Sequence, residues 1–392
     1  MSFPPPSRRS AVAPFIAMDV LAEARALERQ GRRIVHMELG EPGAPAPQAV
    51  RAAAERALRE GAIGYAEALG RPELRRRIAR HYADAYGAEV SPERVVVTTG
   101  SSGAFVLAFL AALDPGARVA LTAPGYPAYA NILAALGLEP AFIEIARETR
   151  FAPTAAALEA AHRQRRLQAV LLASPANPTG AMIESGELAK ICAFCAEAGV
   201  VLVSDEIYHG LSYAQPCETA LTHSREAIVV NSFSKYYAMT GWRLGWLVAP
   251  EGLVRPIERL QQSLAISAPT LAQIAALDAF EATAELEAVK AGYARSRALM
   301  LERLPQLGFD DFAPPDGAFY FYVDVSRFTA DSAAFCRRML EEAGVAATPG
   351  VDFDRARGGR AVRFSYAGPE AEIRLGLDRL ANWLGKSGDA AL

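Results

Sequence analysis

Lysine is scarce in this chain of 392 residues. Of its 41 basic residues, 37 are arginines and only four are lysines, which are Lys190, Lys235, Lys290 and Lys386. A chain that uses arginine for nearly every positive charge draws attention to any lysine in an apolar, serine-rich segment, because an arginine cannot lose its proton. Lys235 follows Asn-Ser-Phe-Ser and is such a lysine. It is the first candidate for an amine that does chemistry.

Basic charge and long apolar runs are also lacking. The net charge of -3 gives no basic field that would attract nucleic acid or anionic lipid. The longest apolar run, Ala104 to Leu113, has ten residues, whereas a membrane span needs about 20. We also find no targeting signal. The sequence therefore predicts a cytoplasmic protein with neither nucleic-acid nor membrane partners.

The few cysteines and histidines make a metal site improbable. Cys192 and Cys195 form a CxxC, but they lie in a helical stretch and no second pair is present to complete four ligands. The five histidines show no metal-ligand spacing. We expect a reduced, metal-free protein.

The pattern along the chain predicts an α/β fold. Short β-branched runs alternate with helical segments through the middle of the sequence, which is typical of a mostly parallel sheet covered by helices. Further on, 319–323 and 362–366 read as strands of a smaller α+β unit. We predict a large domain at 45–290 and a small domain at 291–392. Residues 1–44, with a helix predicted over 19–30 and a strand over 34–39, are expected to pack with the small domain.

Three polar motifs follow predicted strands of the large domain, where open α/β sheets bind ligands. The first, 100–103, is Gly-Ser-Ser-Gly at the start of a helix and suits an anion. The second holds Asn177 rigidly between prolines. The third places Asp205 at the end of an apolar strand, with Tyr208 three residues later, and such a buried acid needs a cation. Taken singly, each motif also fits an ordinary turn or helix cap.

A fourth motif surrounds the scarce lysine. Ser232 and Ser234 share one face of an extended segment that leads into Lys235, and Arg243 follows eight residues later. Hydroxyls and arginine suit a phosphate dianion. The lysine amine suits imine formation with an aldehyde.

The motifs SPANPTG, SDEIYH and SFSKYYAMTGWRLGW, in this order, resemble those of the class I/II aminotransferases of fold type I, in the aspartate aminotransferase superfamily. Supporting matches are LGEP, YAEALGRPELR, TTGSSGA, APGYPAY, DGAFY and VRFSYA, so the resemblance covers nearly the whole chain. It implies pyridoxal 5′-phosphate (PLP) as the cofactor, held by the large domain.

The resemblance also implies residue roles. Lys235 would bind the cofactor as an imine and move a proton, Asp205 would pair with the ring nitrogen, and Tyr208 would bond the 3′ oxygen. The other implied cofactor residues are Asn177 at the same 3′ oxygen, Tyr126 stacked on the ring, and Gly100, Ser101, Ser102, Ser232, Ser234 and Arg243 around the phosphate. The α-carboxylate of the substrate would bind Arg363, with Gly40 and Asn177 beside it. Tyr65 would reach the phosphate of a neighbouring subunit, which implies a homodimer with shared sites.

Transfer of an amino group from an L-amino acid to a 2-oxo acid, with 2-oxoglutarate as acceptor, is the predicted reaction. A PLP-dependent C–S lyase or related β/γ-elimination enzyme shares the fold and stays open. An NAD-dependent oxidoreductase would need Gly-x-Gly-x-x-Gly, which 100–103 does not supply. A P-loop at 385–387 fails because Leu380 takes the place of its first glycine. Ser102, Phe15 and Ile16 replace polar residues of aspartate-specific relatives, so we expect aromatic, aliphatic or alanine-like donors.

Overall fold

The computed structural model describes residues 5–61, 63–213 and 215–388, with side chains up to residue 385. The α-helices of this part of the chain are α1 (Ile16–Arg29), α2 (Gln48–Glu60), α3 (Pro72–Tyr86), α4 (Gly100–Ala112), α5 (Pro127–Leu136), α6 (Ala155–Gln164), α7 (Ser185–Ala198), α8 (Glu251–Leu264), α9 (Thr270–Ala276), α10 (Thr283–Gln306), α11 (Ser332–Arg338) and α12 (Glu370–Gly388). The strands are β1 (Val35–His36), β2 (Val95–Thr98), β3 (Arg118–Ala123), β4 (Glu139–Glu144), β5 (Ala169–Ala173), β6 (Val201–Asp205), β7 (Ile228–Ser232), β8 (Gly245–Val248), β9 (Tyr320–Asp324), β10 (Val345–Ala346), β11 (Thr348–Pro349) and β12 (Ala361–Ser365).

A seven-stranded sheet forms the centre of the fold, in the order β2-β8-β7-β6-β5-β3-β4. Strand β8 runs antiparallel to both of its neighbours, and the other pairs are parallel. Every residue of β2, β7 and β8 is buried, because helices pack on both faces of the sheet. The α/β fold predicted from the alternating pattern is confirmed, and the ends of β5, β6 and β7 lie side by side at one edge.

A smaller sheet follows in the C-terminal part, where β12 pairs antiparallel with both β11 and β9. Strand β1, near the N-terminus, pairs with β10 in parallel. A separate apolar cluster, with Val35, Phe321 and Phe364 among its members, packs around these strands. The predicted boundary near residue 290 falls inside α10, and the three domain ranges stay a prediction.

The structure differs from the prediction at two strands. The N-terminal strand was expected over 34–39 but has ladder pairing only at Val35 and His36. Beyond this strand, the backbone of Met37 bonds two different strands. Its N–H donates to the Ala346 carbonyl at 3.0 Å, and its carbonyl accepts from the Ser365 N–H at 2.7 Å. Strand β4 was not predicted, because it lies at the sheet edge and its residues alternate between buried and exposed positions.

Among the described residues, no helix has the length and apolar character that crossing a bilayer requires. In the same residues, no group of His, Cys, Asp and Glu side chains is arranged to hold a metal ion. Cys192 and Cys195 are buried on α7, and burial raises the pKa of both thiols, to about 11 and about 12. The cytoplasmic location expected from the sequence stays a prediction.

Candidate active site

A cavity of about 680 Å³ opens at the edge of the central sheet where β5, β6 and β7 end. Its walls come from the central sheet, from the C-terminal part and from α1. The residues predicted from the sequence that line it are Gly40, Ser101, Ser102, Tyr126, Asn177, Asp205, Tyr208, Ser234, Lys235, Arg243 and Arg363.

The amine of Lys235 lies inside this cavity and donates a hydrogen bond to the carbonyl oxygen of Gly40 at 2.5 Å. The rings of Tyr208 and Phe319 have their centres 5.9 and 6.0 Å from the amine nitrogen. Desolvation, followed by the positive charge of Arg363, lowers the pKa of Lys235 to about 8. The neutral amine, which is the form that acts as a nucleophile, is therefore far more populated near neutral pH than in an ordinary lysine, although the charged form still predominates.

Asp205, the last residue of β6, is a fully buried acid. Its carboxylate accepts hydrogen bonds from the hydroxyl of Tyr129 and from the backbone N–H of Ile207, the latter at 3.0 Å. Burial raises the pKa of Asp205 to about 6, against the effect of these two donors and of Lys235. Within the described part of the chain, no cationic side chain forms an ion pair with it. A cationic ligand group would complete this site.

An anion cradle is formed where α4 begins. Gly100 adopts φ +68°, and a Cβ atom there would lie 2.5 Å from Nη2 of Arg243, so the backbone approaches the guanidinium closely. Thr99 gives the helix no side-chain cap, which leaves the first N–H groups of α4 available. Ser101, Ser102 and Arg243 line the cavity at this point.

Ser232 lies next to the cradle and bonds one of its residues, Ser234. Its hydroxyl donates to the hydroxyl of Ser234 at 2.8 Å and accepts from the Ser234 backbone N–H at 2.9 Å. Ser234 lines the cavity, whereas Ser232 does not. The structure therefore places Ser232 where it orients Ser234.

Arg363, on β12, forms the opposite wall. It donates to Oδ1 of Asn177 at 2.9 Å, and its planar group lies 4.5 and 4.7 Å from the ring centres of Tyr320 and Phe353. Its Nη2 donates to the Glu38 carbonyl. Its Nε is buried and has no hydrogen-bond partner among the described residues. A guanidinium held in place with a free donor is suited to a carboxylate ligand.

Residues 34–380 match the family model described as aminotransferase class I and II, which covers most of the chain. The chain belongs to this family. This match confirms the family resemblance stated from the sequence. It also confirms the predicted class of enzyme, a transferase of nitrogenous groups, and the cofactor of the family is PLP.

Known relatives of this aminotransferase extend over nearly its full length. It is 52% identical over 380 residues to the valine–pyruvate aminotransferase of Mycobacterium tuberculosis, covering 96% of this chain and 97% of that protein. A crystal structure of an aminotransferase from Mycobacterium tuberculosis is similar with a TM-score of 0.95 and 50% identity, covering 98% and 100%. The structure of the aspartate aminotransferase from Thermus thermophilus with maleate is similar with a TM-score of 0.92 and 36% identity, covering 97% of this chain and 100% of that chain.

The residues of the cavity suit PLP. The aminotransferase presents an amine with a lowered pKa at Lys235, a buried acid without a cation at Asp205, and a glycine-lined cradle beside Arg243. These three groups match, in turn, the aldehyde, the ring nitrogen and the phosphate of the cofactor. Tyr126 lies at the same cavity, edge-on to Tyr129 with ring centres 5.2 Å apart.

Tyr65 is a predicted site residue that lies away from the cavity of its own chain. Its side chain is 85% exposed, and it is absent from the cavity lining. Gly100 shapes the cradle by its approach to Arg243 and, like Ser232, does not itself line the cavity.

Two tyrosines of the site were missed by sequence reasoning. Tyr129 bonds Asp205, and it lies one helical turn after Tyr126, a spacing that could have indicated the same face. Tyr320 shares a hydrogen bond of 2.7 Å between its hydroxyl and that of Tyr208. A Cβ atom on Gly40 would lie 1.6 Å from the Tyr320 hydroxyl, so this glycine is required by the contact. Tyr320 was within the DGAFY match but was assigned no role.

Proposed function

We propose that this aminotransferase moves the amino group of an apolar L-amino acid, with valine as the representative donor, to pyruvate. The observation that carries the proposal is the apolar wall of the cavity. Its members come from α1, α4, α5 and the segment after β6, and they are Phe15, Ala17, Met18, Leu21, Phe105, Ile132 and Ile207. Such a wall stabilises an aliphatic or aromatic side chain by removing it from water.

The charges of the cavity also favour an apolar donor. Lys235, Arg243 and Arg363 are the cations inside the cavity, and the amine chemistry, the phosphate and the α-carboxylate account for them. The further cation of the lining, Arg25, is exposed to solvent on α1. At the place where relatives specific for aspartate are expected to carry a lysine, the chain has Ser102. A donor with a second carboxylate would have to lose its hydration against apolar side chains, which is unfavourable without a cation.

Pyruvate replaces the acceptor predicted from the sequence, which was 2-oxoglutarate. The relative that is 52% identical over 96% of the chain acts, by its name, on valine and pyruvate. The methyl group of pyruvate also needs no second cation in the cavity. Both considerations support pyruvate as the acceptor and valine as the donor.

Each residue of the cavity has a separate role in the proposed reaction. PLP supplies an aldehyde for the amino group and a ring that accepts the electron pair of the α-carbon. Lys235 takes and returns the proton at the substrate α-carbon through its amine. Asp205 would stabilise a positive charge at the ring nitrogen, and Arg363 would bind the α-carboxylate, with Asn177 and Gly40 beside it in the cavity lining. Tyr208 and Asn177, which both line the cavity, would bond the ring oxygen.

Tyr65 supports a homodimer. It is an exposed tyrosine on a segment that also exposes the apolar residue Ile63, and Leu264 and Ile266 are exposed elsewhere in the chain. The hydroxyl of Thr270 joins the two regions by donating to the Gly64 carbonyl at 2.6 Å. Exposed apolar residues of this kind suit a contact with a second copy of the chain, which would bring Tyr65 to the partner's cradle.

Arg25 favours a second candidate acceptor. It lies on α1 one turn beyond Leu21, lines the cavity and is exposed to solvent. A distal carboxylate, as in 2-oxoglutarate, could be met by this guanidinium at the cavity mouth.

A panel of half-reactions tests the proposal. The absorbance of the bound cofactor is followed as valine, phenylalanine, alanine or aspartate is added, and then as pyruvate or 2-oxoglutarate restores the starting spectrum. We expect kcat/KM for valine to exceed that for aspartate by at least about tenfold, and pyruvate to exceed 2-oxoglutarate. Aspartate as the best donor would refute the proposal.

Two controls separate the alternatives. In Arg25→Ala, a higher KM for 2-oxoglutarate with an unchanged KM for pyruvate would favour the second acceptor. Ammonia released from cysteine-type donors, with no oxo acid present, would indicate elimination.

A further inference from the structure

The helix that forms the apolar wall has an unusual beginning. Phe15, at the N-cap position of α1, has a side chain that cannot accept a hydrogen bond. The first N–H groups of α1 instead donate to Asp352, with Ile16 N at 3.1 Å from Oδ1 and Ala17 N at 3.3 Å from Oδ2. The start of the helix is thus held by a carboxylate 336 residues away in the chain.

Asp352 belongs to the part of the fold that carries Arg363. It ends a short 3-10 turn, Gly350–Asp352, directly after β11, and β11 pairs with β12. The next residue, Phe353, packs its ring 4.7 Å from the guanidinium of Arg363. Burial raises the pKa of Asp352, whereas the two helix N–H groups and the nearby Arg363 favour its ionised form.

The segment held by Asp352 faces the substrate cavity. Phe15, Ala17, Met18 and Leu21 all line it, and Phe15 contacts Tyr126 edge-on with ring centres 5.7 Å apart. Asp352 itself does not line this cavity. Asp352 therefore connects the apolar wall to the part of the fold that carries Arg363 without lining the cavity itself.

We propose that Asp352 is a positioning residue, which fixes the start of α1 relative to Arg363 and so determines how well the side chain of the donor fits. This inference rests on the proposed apolar donor class. It predicts that loss of the carboxylate weakens binding of donors with large side chains more than binding of alanine, because only a large side chain reaches the wall.

The test compares three variants of the PLP-loaded enzyme. Asp352→Ala removes the cap, and Asp352→Asn keeps one acceptor oxygen. Asp331→Ala is the matched control, because Asp331 caps α11 in the same manner, with Oδ1 3.1 and 3.0 Å from the N–H groups of Ala333 and Ala334, but α11, unlike α1, contributes no residue to the cavity lining. KM and kcat for valine and alanine, and hydrogen exchange of the α1 amides, are measured for each.

In Asp352→Ala, we expect KM for valine to rise about fivefold, the factor that corresponds to the typical cost of a lost helix cap, with kcat within about twofold. KM for alanine should rise less. The backbone amides of residues 16–20 should exchange faster in Asp352→Ala than in the wild type. In Asp352→Asn, both KM for valine and amide exchange should lie between those of the wild type and Asp352→Ala. Asp331→Ala should match the wild type in KM and in the exchange of the α1 amides.

Three results would overturn the inference. One is unchanged KM and unchanged α1 exchange in both Asp352 variants. Another is an equal rise for valine and alanine, which would show that Asp352 acts only through Arg363. The third is the same KM change in Asp331→Ala. Should Asp352→Ala fail to fold, the asparagine variant carries the same comparison. If aspartate proves the best wild-type donor, the donor class is refuted, whereas α1 exchange still tests the anchoring.

Discussion

Asp205 is a residue whose ionisation depends closely on its immediate neighbours. Burial alone would keep the carboxyl protonated, and the Tyr129 hydroxyl is one of two hydrogen-bond donors that oppose burial. Since the pKa of Asp205 is raised to about 6, the acid is ionised above that pH and protonated below it. A protonated Asp205 cannot hold the positive charge of a ring nitrogen.

Removal of the Tyr129 hydroxyl should therefore shift the pH range in which the cofactor binds. In Tyr129→Phe, the pKa of Asp205 moves further up from about 6. A rise of one pKa unit would lower PLP affinity by about twofold at pH 7 and by up to about tenfold well below pH 6, where the acid is protonated in both proteins. Affinity should recover at higher pH. The measurement is the Kd of PLP for the cofactor-free protein between pH 5.5 and pH 8.5 (a range of about three units around the pKa).

Tyr236→Phe is the control for this experiment. It also removes a tyrosine–carboxylate bond, of 2.7 Å to Glu287, but at an exposed position outside the cavity. Its pH dependence should match the wild type. A Tyr129→Phe profile that coincides with the wild type would contradict the role given to the tyrosine.

At the residue scale, the sequence indicated which side chains could react or bind a charged group, but not which residues form hydrogen bonds with them. Lys235 and Asp205 could be singled out because a lysine is scarce in this chain and a buried acid is costly, whereas Arg363 was assigned through the family resemblance. The bond from Tyr129 to Asp205 could not be predicted, because it depends on which face of α5 turns toward β6. The bond from Asp352 to α1 joins residues 336 apart and leaves no local pattern.

The start of α4 is the structural element that most directly shapes the anion cradle. Gly100 adopts a left-handed backbone and leaves no room for a side chain beside Arg243. In Gly100→Ala, the new Cβ atom displaces the guanidinium, so we expect PLP affinity to fall at least about tenfold, with a fall in Tm from the strained backbone. PLP titration and thermal melting measure the two effects.

Gly116→Ala separates strain from displacement. Gly116 has φ +84°, and a Cβ atom there would have nothing within 4 Å. This control should lower Tm through its backbone alone and leave PLP affinity unchanged. Equal PLP affinity in the two variants would show that the contact with Arg243 is unimportant for the cradle.

Elements were predictable where burial gave a clear pattern. The fully apolar strands were recognised from the sequence, and the motifs after β5, β6 and β7 meet because parallel strands end at one edge of the sheet. β4 was missed because its exposed residues break the apolar run. Helix α1 was expected from residue 19 and begins at Ile16, since its cap is supplied from outside the segment.

At the scale of the whole molecule, the exposed Tyr65 predicts that two chains complete each other's sites. Lys235→Ala and Tyr65→Ala would each impair a homodimer. Mixed dimers of the two variants contain one site with both residues intact, so mixing under conditions of subunit exchange should restore up to about a quarter of the wild-type activity. Activity and molar mass in solution are measured before and after exchange.

Two outcomes would contradict the shared site. The first is a chain that is monomeric and active. The second is a mixed sample with no more activity than the mean of its two parents, although mass spectrometry shows that mixed dimers have formed.

The central claim is that Lys235 carries the cofactor, and reduction with borohydride tests it most directly. The PLP-loaded protein is reduced, digested and searched by peptide mass for the covalent adduct. We predict one adduct, on Lys235, and none in Lys235→Ala. An adduct on Lys190 or Lys290 with Lys235 unmodified would contradict the account, as would the same adduct yield in Lys235→Ala as in the wild type.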